Sequence, residues 1–524
     1  MKINKIYLPI LIFTAIAVGF LLGVYMMKDT GENPFISKND SKQKLNKLID
    51  FIHSDYVDAV NTDSIVDQTV TGILEKLDPH SVYINKSEAM VESESMRGNF
   101  VGIGVNFFIE KDTVMVISPI AGGPSEKAGI KAGDRLLYAD NHKLFGKQIN
   151  NEKLYNYLRG EAQSAVQLTV YRKSENRKLK LEVIRNTIPM KSVDVAFMLD
   201  TTTGYIKINR FAETTYQEFS QGLTRLLNQQ TNHLILDLRD NSGGYMEEAI
   251  KIADEFLSSK KLIVFTKNKK GDIEKSIATA QGRFEKGKIT LLINENSASA
   301  SEIIAGAIQD NDRGLIIGRR SFGKGLVQRE ITFKDGSSVR LTVARYYTPS
   351  GRSIQKAYKE GTEKYLNDFM KRYHNGEMYA KDSIKIADTL KFKTAKGRIV
   401  YGGGGIIPDV FVPLEATKGS ELVPLIMQSG AVTNFVFKTI DKNRKAFEKL
   451  KYSQIIQKIN DSDVYFNLFK NTIVKLDNTI DLESNKAFVK RHLTAEFCRQ
   501  LLGETYYYRA VLKNDAMLKV ALKP

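Results

Sequence analysis

Cysteine is nearly absent: Cys498 is the single one in 524 residues, which excludes an intrachain disulfide framework and a zinc-ribbon cluster. No cysteine lies near the N-terminus to carry the lipid of a lipoprotein anchor. Histidine is scarce, and none of His53, His80, His142, His233, His374 and His492 falls in a recognisable catalytic setting. Long apolar runs are missing from all but one place, and 26% of residues are charged, so the chain is no polytopic membrane protein. Nucleic-acid motifs are lacking too. The net charge of +17 is scattered through predicted helices rather than gathered into a basic run with aromatic partners, so no nucleic-acid partner is expected. A membrane surface or acidic substrates fit that charge better.

The one apolar run follows Lys2 and Lys5 and covers residues 6–27 without a charge. As a helix it would reach roughly 33 Å, enough to span a bilayer core. It ends Gly23-Val-Tyr-Met-Met27 rather than in an Ala-x-Ala-like site, which favours an uncleaved anchor over a signal peptide. Lys2 and Lys5 before the span, against Lys28, Asp29 and Glu32 after it, put the N-terminus inside. The expectation is a single-pass protein of the cell (inner) membrane, with its bulk in the periplasm or extracytoplasmic space.

A length of 524 residues predicts about three or four domains. Residues 1–30 form the membrane anchor or signal segment. Residues 40–88 read as helical, with stripes such as Leu45, Leu48, Ile49 and Ile52, and close on Asp78-Pro-His-Ser81. That run tempts a triad reading, but sequence neighbours point in different directions, so a proline turn is the better account. Residues 89–186 read as short strands around the glycine-bearing Gly102-Ile103-Gly104-Val105. Residues 187–414 alternate strand and helix, which argues an α/β core, with a charged insertion at 357–396. Residues 415–524 read as helices without a catalytic motif, and Cys498 there is expected to be a buried structural thiol.

The chemistry concentrates at residues 289–328. A buried-looking strand, 289–294, empties into Ser297-Ala-Ser-Ala-Ser-Glu302, where Ile303, Ile304, Ala307 and Ile308 recur at helical spacing. A hydroxyl at a helix N-terminus meets free N–H groups and the positive dipole end, which suits a nucleophile that generates an oxyanion. Serine needs a base. Downstream lies Ser321-Phe-Gly-Lys-Gly-Leu-Val-Gln328, whose lysine can serve if burial lowers its pKa. Either motif by itself also fits a helix cap or a surface lysine; the two in this order read as a Ser-Lys dyad. Residues four apart face the same way in helix or strand, so Gln328 can reach Lys324.

Asn296-Ser-Ala-Ser-Ala-Ser-Glu-Ile303 followed by Ser321-Phe-Gly-Lys-Gly-Leu-Val-Gln328 resembles the signature of the carboxyl-terminal processing (tail-specific) proteases. The resemblance covers roughly residues 40–414. It implies Ser299 as nucleophile, Lys324 as base and Gln328 as the residue orienting the lysine. Asp237-Leu-Arg-Asp-Asn-Ser-Gly-Gly244 resembles the family's oxyanion loop, which implies donors from Gly243 or Gly244 and from Ala300. Residues 89–186 are similar to a PDZ domain, matching best at Ser125-Glu-Lys-Ala-Gly-Ile-Lys-Ala-Gly-Asp134. Backbone N–H groups of Gly102, Ile103, Gly104 and Val105 would then receive a chain-terminal carboxylate, with the adjacent strand edge pairing the peptide. The implied fold is α/β within an α+β multidomain chain, its protease core crotonase-like. No metal and no organic cofactor are needed. The implied partners are proteins or peptides held by their C-termini, and a homo-oligomer or an adaptor protein is compatible. The competing reading is an inactive PDZ scaffold; intact Ser299, Lys324 and Gln328 argue against it.

Overall fold

In the computed structural model the described residues are 13–14, 16–19, 40–147, 149–385, 390–417, 420, 422–477 and 479–523. They fall into two units, 1–73 and 74–524. In the first, Asp40–Asp55 and the helix beginning at Thr62 are the main elements. The apolar run 6–27 lies outside the described residues except at 13–14 and 16–19, which are helical. Among the described residues no helix is long and apolar enough to cross a membrane.

The second unit opens with a departure from the periodicity reading. Strands were expected from about residue 90, but Lys86–Arg97 is a helix, because its ends are punctuated. The Asn85 side chain accepts from the Glu88 N–H at the start, and Gly98 closes it in the left-handed region at φ 75°. Nor is the preceding stretch wholly helical: Val82–Ile84 is a strand, paired with Ser338–Tyr347.

A six-stranded sheet follows in the order Val105–Glu110, Thr113–Pro119, Asp134–Ala139, Ala165–Arg172, Arg177–Ile184, with His142–Lys143 attached to the third. Val105, Phe107 and Ile109 point into its core with Val114, Val116, Leu136 and Val170, as strand alternation requires. Asn106, Phe108 and Glu110 take the other face.

The core sheet also has six strands, in the order Val193–Met198, Thr203–Ile208, His233–Asp237, Lys288–Ile293, Leu315–Gly318, Val410–Phe411. All pairings but the first are parallel. Strands such as His233–Asp237 are buried along their whole length because helices Thr215–Leu227, Met246–Asp254 and Ala300–Asp310 supply side chains to the same apolar cluster. The expected hairpin is present, with Leu326–Thr332 antiparallel to Ser338–Tyr347. Arg352 and Asp310, both fully buried and 2.7 Å apart, tie the segment after the hairpin to the end of the helix that begins at Ala300.

Helices between Leu422 and Val511 gather around Phe437, Phe466, Phe469 and Phe497, and Cys498 is buried among them. Phe437 packs edge-on against Phe108 at 5.0 Å, and Asp441 pairs with Arg135 and Lys173. At the other end Tyr508 donates to Asp194 at 2.6 Å, and Arg239 pairs with Asp515. The C-terminal helices therefore brace the small sheet and the α/β core at once.

Candidate active site

The parallel strand Lys288–Ile293 delivers the chain to a tight turn, after which Ala300–Asp310 is helical. The three serines of this turn are not equivalent. Ser297 donates to the Leu238 carbonyl at 2.8 Å and Ser301 to the Asn241 carbonyl at 2.9 Å, so both are consumed in fastening the turn to the loop after His233–Asp237. Ser299, half-buried between them, sits at φ 54°, ψ −113°. A non-glycine residue held there carries strain that is concentrated at functional turns.

Lys324 lies just ahead of Leu326–Thr332. Its amine donates to Gln328 Oε1 at 2.8 Å, and the Gln328 amide donates in turn to the His80 carbonyl. Burial is the main cause that pulls the lysine down to about 8, aided by Arg340 and opposed by Glu302, Asp78 and Glu92. About a tenth of this amine is therefore neutral near pH 7, far more than of an ordinary lysine, which favours a role as base.

Among the described residues no hydrogen bond joins the Ser299 hydroxyl to the Lys324 amine. Two other groups bring the residues together. The Glu302 carboxylate accepts from the N–H groups of Ser299 (2.9 Å), Lys324 (2.8 Å) and Gly323 (2.7 Å) and from the Ser321 hydroxyl. The Tyr346 hydroxyl lies 3.0 Å from the Ser299 carbonyl and 2.5 Å from that of Lys324. Glu302 is fully buried, and desolvation pushes its carboxyl up to about 7 against the four donors that favour its charge.

The loop after His233–Asp237 passes beside the serine. A Cβ at Gly243 would lie 2.7 Å from Ser299 Cβ and 3.1 Å from the Ala300 nitrogen, so only glycine keeps that space open. The Gly243 N–H is already donated to Asn241 Oδ1 at 2.9 Å. The N–H groups of Gly244 and Ala300 meet no acceptor among the described residues.

Gly102 ends the strand Asn99–Gly102, which pairs with Asn186–Pro189, and Val105 begins the edge strand Val105–Glu110 of the small sheet, which pairs only with Thr113–Pro119. Ile103 is buried, and its carbonyl and that of Gly104 accept from Ser125 and Ile120. Gly104, at φ 72°, lies so close to Ile188 that a Cβ there would approach its Cδ1 to 2.9 Å. The N–H groups of Ile103 and Gly104 find no acceptor among the described residues. Phe107 on the edge strand meets Tyr155 on the helix Asn151–Leu158.

Glu302, Tyr346 and the Asp78–Ser81 turn were not singled out as parts of the site from sequence. Glu302 had a signal, since serine followed three residues later by glutamate marks a capping box. Tyr346 and the His80 carbonyl had none, because they arrive from distant strands and turns. Among the described residues no group of His, Cys, Asp or Glu could hold a metal ion.

An α/β core with a serine at a strained helix entrance, joined to a peptide-groove sheet, has the layout of a serine-type peptidase carrying a recognition module. The profile of peptidase family S41 matches residues 202–364, and that of the PDZ domain matches 101–183. The carboxy-terminal-processing protease of Bartonella bacilliformis is 33% identical over 324 residues, 61% of this chain and 74% of that protein. The carboxy-terminal processing protease CtpA of Bacillus subtilis is 33% identical over 370 residues, 70% and 78% of the two chains. A solved structure, the photosystem II D1 C-terminal processing protease, aligns at 25% identity over 71% of this chain and 86% of that one, with a TM-score of 0.36. On its sequence relatives, the chain belongs to peptidase family S41, the carboxy-terminal processing proteases, and is a serine-type peptidase with a PDZ domain.

Proposed function

We propose that this protein is an extracytoplasmic endopeptidase that grips protein C-termini with its PDZ domain and cleaves by a Ser299–Lys324 dyad. One observation carries the reading: a desolvated amine, aimed by Gln328, belongs to a residue whose backbone shares the Glu302 carboxylate and the Tyr346 hydroxyl with the backbone of the strained Ser299 turn. Neutral Lys324 takes the Ser299 proton, and the serine oxygen adds to the peptide carbonyl. The oxyanion is received by the Ala300 N–H together with one from Gly243 or Gly244. Gly244 is the better donor, since the Gly243 N–H is occupied. The Lys324 ammonium protonates the departing amine, and water then hydrolyses the ester with the same amine as base. That no hydrogen bond joins the two side chains among the described residues is compatible with this reading, since such bonds tighten with substrate.

The PDZ domain contributes the substrate's carboxylate site at Gly102-Ile103-Gly104-Val105 and pairs the tail along Val105–Glu110. Residues 6–27 anchor the chain in the membrane, supported by the length of the uncharged run and the lysines before it. The test is Ser299→Ala in the full chain. Cleavage of an unstructured substrate should vanish while binding of its free C-terminal tail persists. Wild-type protein that binds tails and cleaves nothing would make it a scaffold.

A further inference from the structure

The described residues of the insertion at 357–396 are tied to the core. Its helices Thr362–Leu366 and Asp368–His374 press on the segment that carries the base. Arg372 donates to the carbonyls of Arg320 and Ser321, and Glu377 pairs with both Arg320 and Arg372. The Lys356 ammonium lies over the rings of Phe322 and Tyr365 at 3.8 and 4.2 Å and donates to the Tyr365 carbonyl. These cation–π contacts clip the insertion to the residue two before Lys324.

Tyr365 is deeply buried among these contacts, 3% exposed. Its hydroxyl accepts from Gln355 Nε2 at 3.2 Å and lies 2.7 Å from His80 Nε2. Burial, with help from Lys324 and Lys356, lowers His80 to about 4. The imidazole is thus neutral, and burial also keeps the phenol protonated. A hydrogen-bond chain joins Gln355, the Tyr365 hydroxyl and the Nε2 of His80.

The ring of His80 also meets Phe322 edge-on at 6.4 Å, and its other hydrogen bonds among the described residues are made by its backbone. Its N–H donates to Asp78 Oδ1 at 2.9 Å, and its carbonyl receives the Gln328 amide. The other end of that amide accepts from Lys324. A glutamine side chain has one donor end and one acceptor end, so a shift of the His80 carbonyl must be passed to the lysine amine.

We infer that Tyr365 is a positioning residue for the base: by holding the His80 ring it fixes the carbonyl that anchors Gln328 and thereby aims Lys324. This rests on the Ser-Lys reading above. The charged groups facing Lys324 are Arg340, Glu302, Asp78 and Glu92, and the neutral His80 ring is acted on by Lys324, Asp78 and Lys356. Removing the Tyr365 hydroxyl alters none of these charges. A change in the titration of the base would therefore report its position and its access to water.

The experiment compares wild type, Tyr365→Phe, His80→Ala and the double variant, each as the full chain, on a peptide with a free C-terminus. Tyr365→Phe should lower kcat roughly tenfold, as expected for a misplaced catalytic group. KM should be unchanged, and the midpoint of the kcat–pH profile should move upward as water reaches the amine. His80→Ala keeps the carbonyl and loses the ring, so it should reproduce both effects. The double variant should be no worse than His80→Ala. Unchanged kcat and midpoint in Tyr365→Phe, or losses that simply multiply in the double variant, would overturn the inference alone. Cleavage that survives Ser299→Ala would overturn the Ser-Lys reading and this inference with it.

Discussion

The catalytic core and the PDZ domain treat their polar groups in opposite ways. Around Ser299 most groups are already engaged, the Gly244 and Ala300 N–H groups excepted: four donors converge on Glu302, Ser297 and Ser301 bond the neighbouring loop, and Gln328 is bonded at both ends. In the PDZ domain the Ile103 and Gly104 N–H groups and the edge of Val105–Glu110 have no protein partner among the described residues. Chemistry requires groups preorganised before substrate arrives. Recognition by strand addition requires groups left for the substrate to satisfy. The C-terminal helices touch both regions, with Phe437 on one and Tyr508 on the other.

The sharpest separation should come from the proposed dyad. Ser299→Ala or Lys324→Met is expected to reduce cleavage by at least about a thousandfold, with tail affinity unchanged by calorimetry. A matching loss of tail binding would show that the two regions are not separable. Next in size is Glu302→Gln, which turns an amide N–H toward donors that need an acceptor. It should lower kcat about a hundredfold and cost about 2–4 kcal/mol in denaturant unfolding.

The same carboxyl sets a pH signature. With its folded value at about 7 against an ordinary 4.5, the native state binds more protons between those values, so its contribution to stability falls as pH rises through that window. Glu302→Gln should flatten this slope. Turnover should behave differently, rising with pH through about 8 as Lys324 loses its proton. A rate flat across that range, with chemistry limiting, would remove lysine as the base.

Smaller effects belong to the PDZ domain and its brace. Gly104→Ala meets both a left-handed backbone and Ile188, and should weaken tail binding about tenfold while an irreversible serine probe still labels Ser299. Asp441→Ala removes the acceptor for Arg135 and Lys173. It should cost about 1–2 kcal/mol of stability and leave turnover of a short peptide nearly unchanged. A large drop in turnover would mean that the brace governs catalysis as well as domain placement.

Periodicity and punctuation made much of this readable in advance. The buried strand 289–294, the helix after Ser299 and the hairpin after Lys324 follow from apolar spacing and turn residues. Lys86–Arg97 escaped because its apolar stripe is thin and its ends are marked by Asn85 and Gly98 instead. The Gln328–Lys324 bond was accessible from a spacing of four. That Gln328 would also reach His80, 248 residues earlier, was not, since no local rule links a turn at one end of a domain to a strand at the other.

Residue types and their order determined the class of chemistry here: a hydroxyl at a helix entrance, an amine in a glycine loop, glycines where a carboxylate could be received. Only tertiary packing decided which serine of three stays off the neighbouring loop, which glycine N–H stays available, and how far the lysine is dried. The reason is physical. Charge state and hydrogen-bond commitment depend on what surrounds a group within a few ångströms, and the neighbours Tyr346, Arg340 and His80 come from segments whose sequence carries no sign that they will meet.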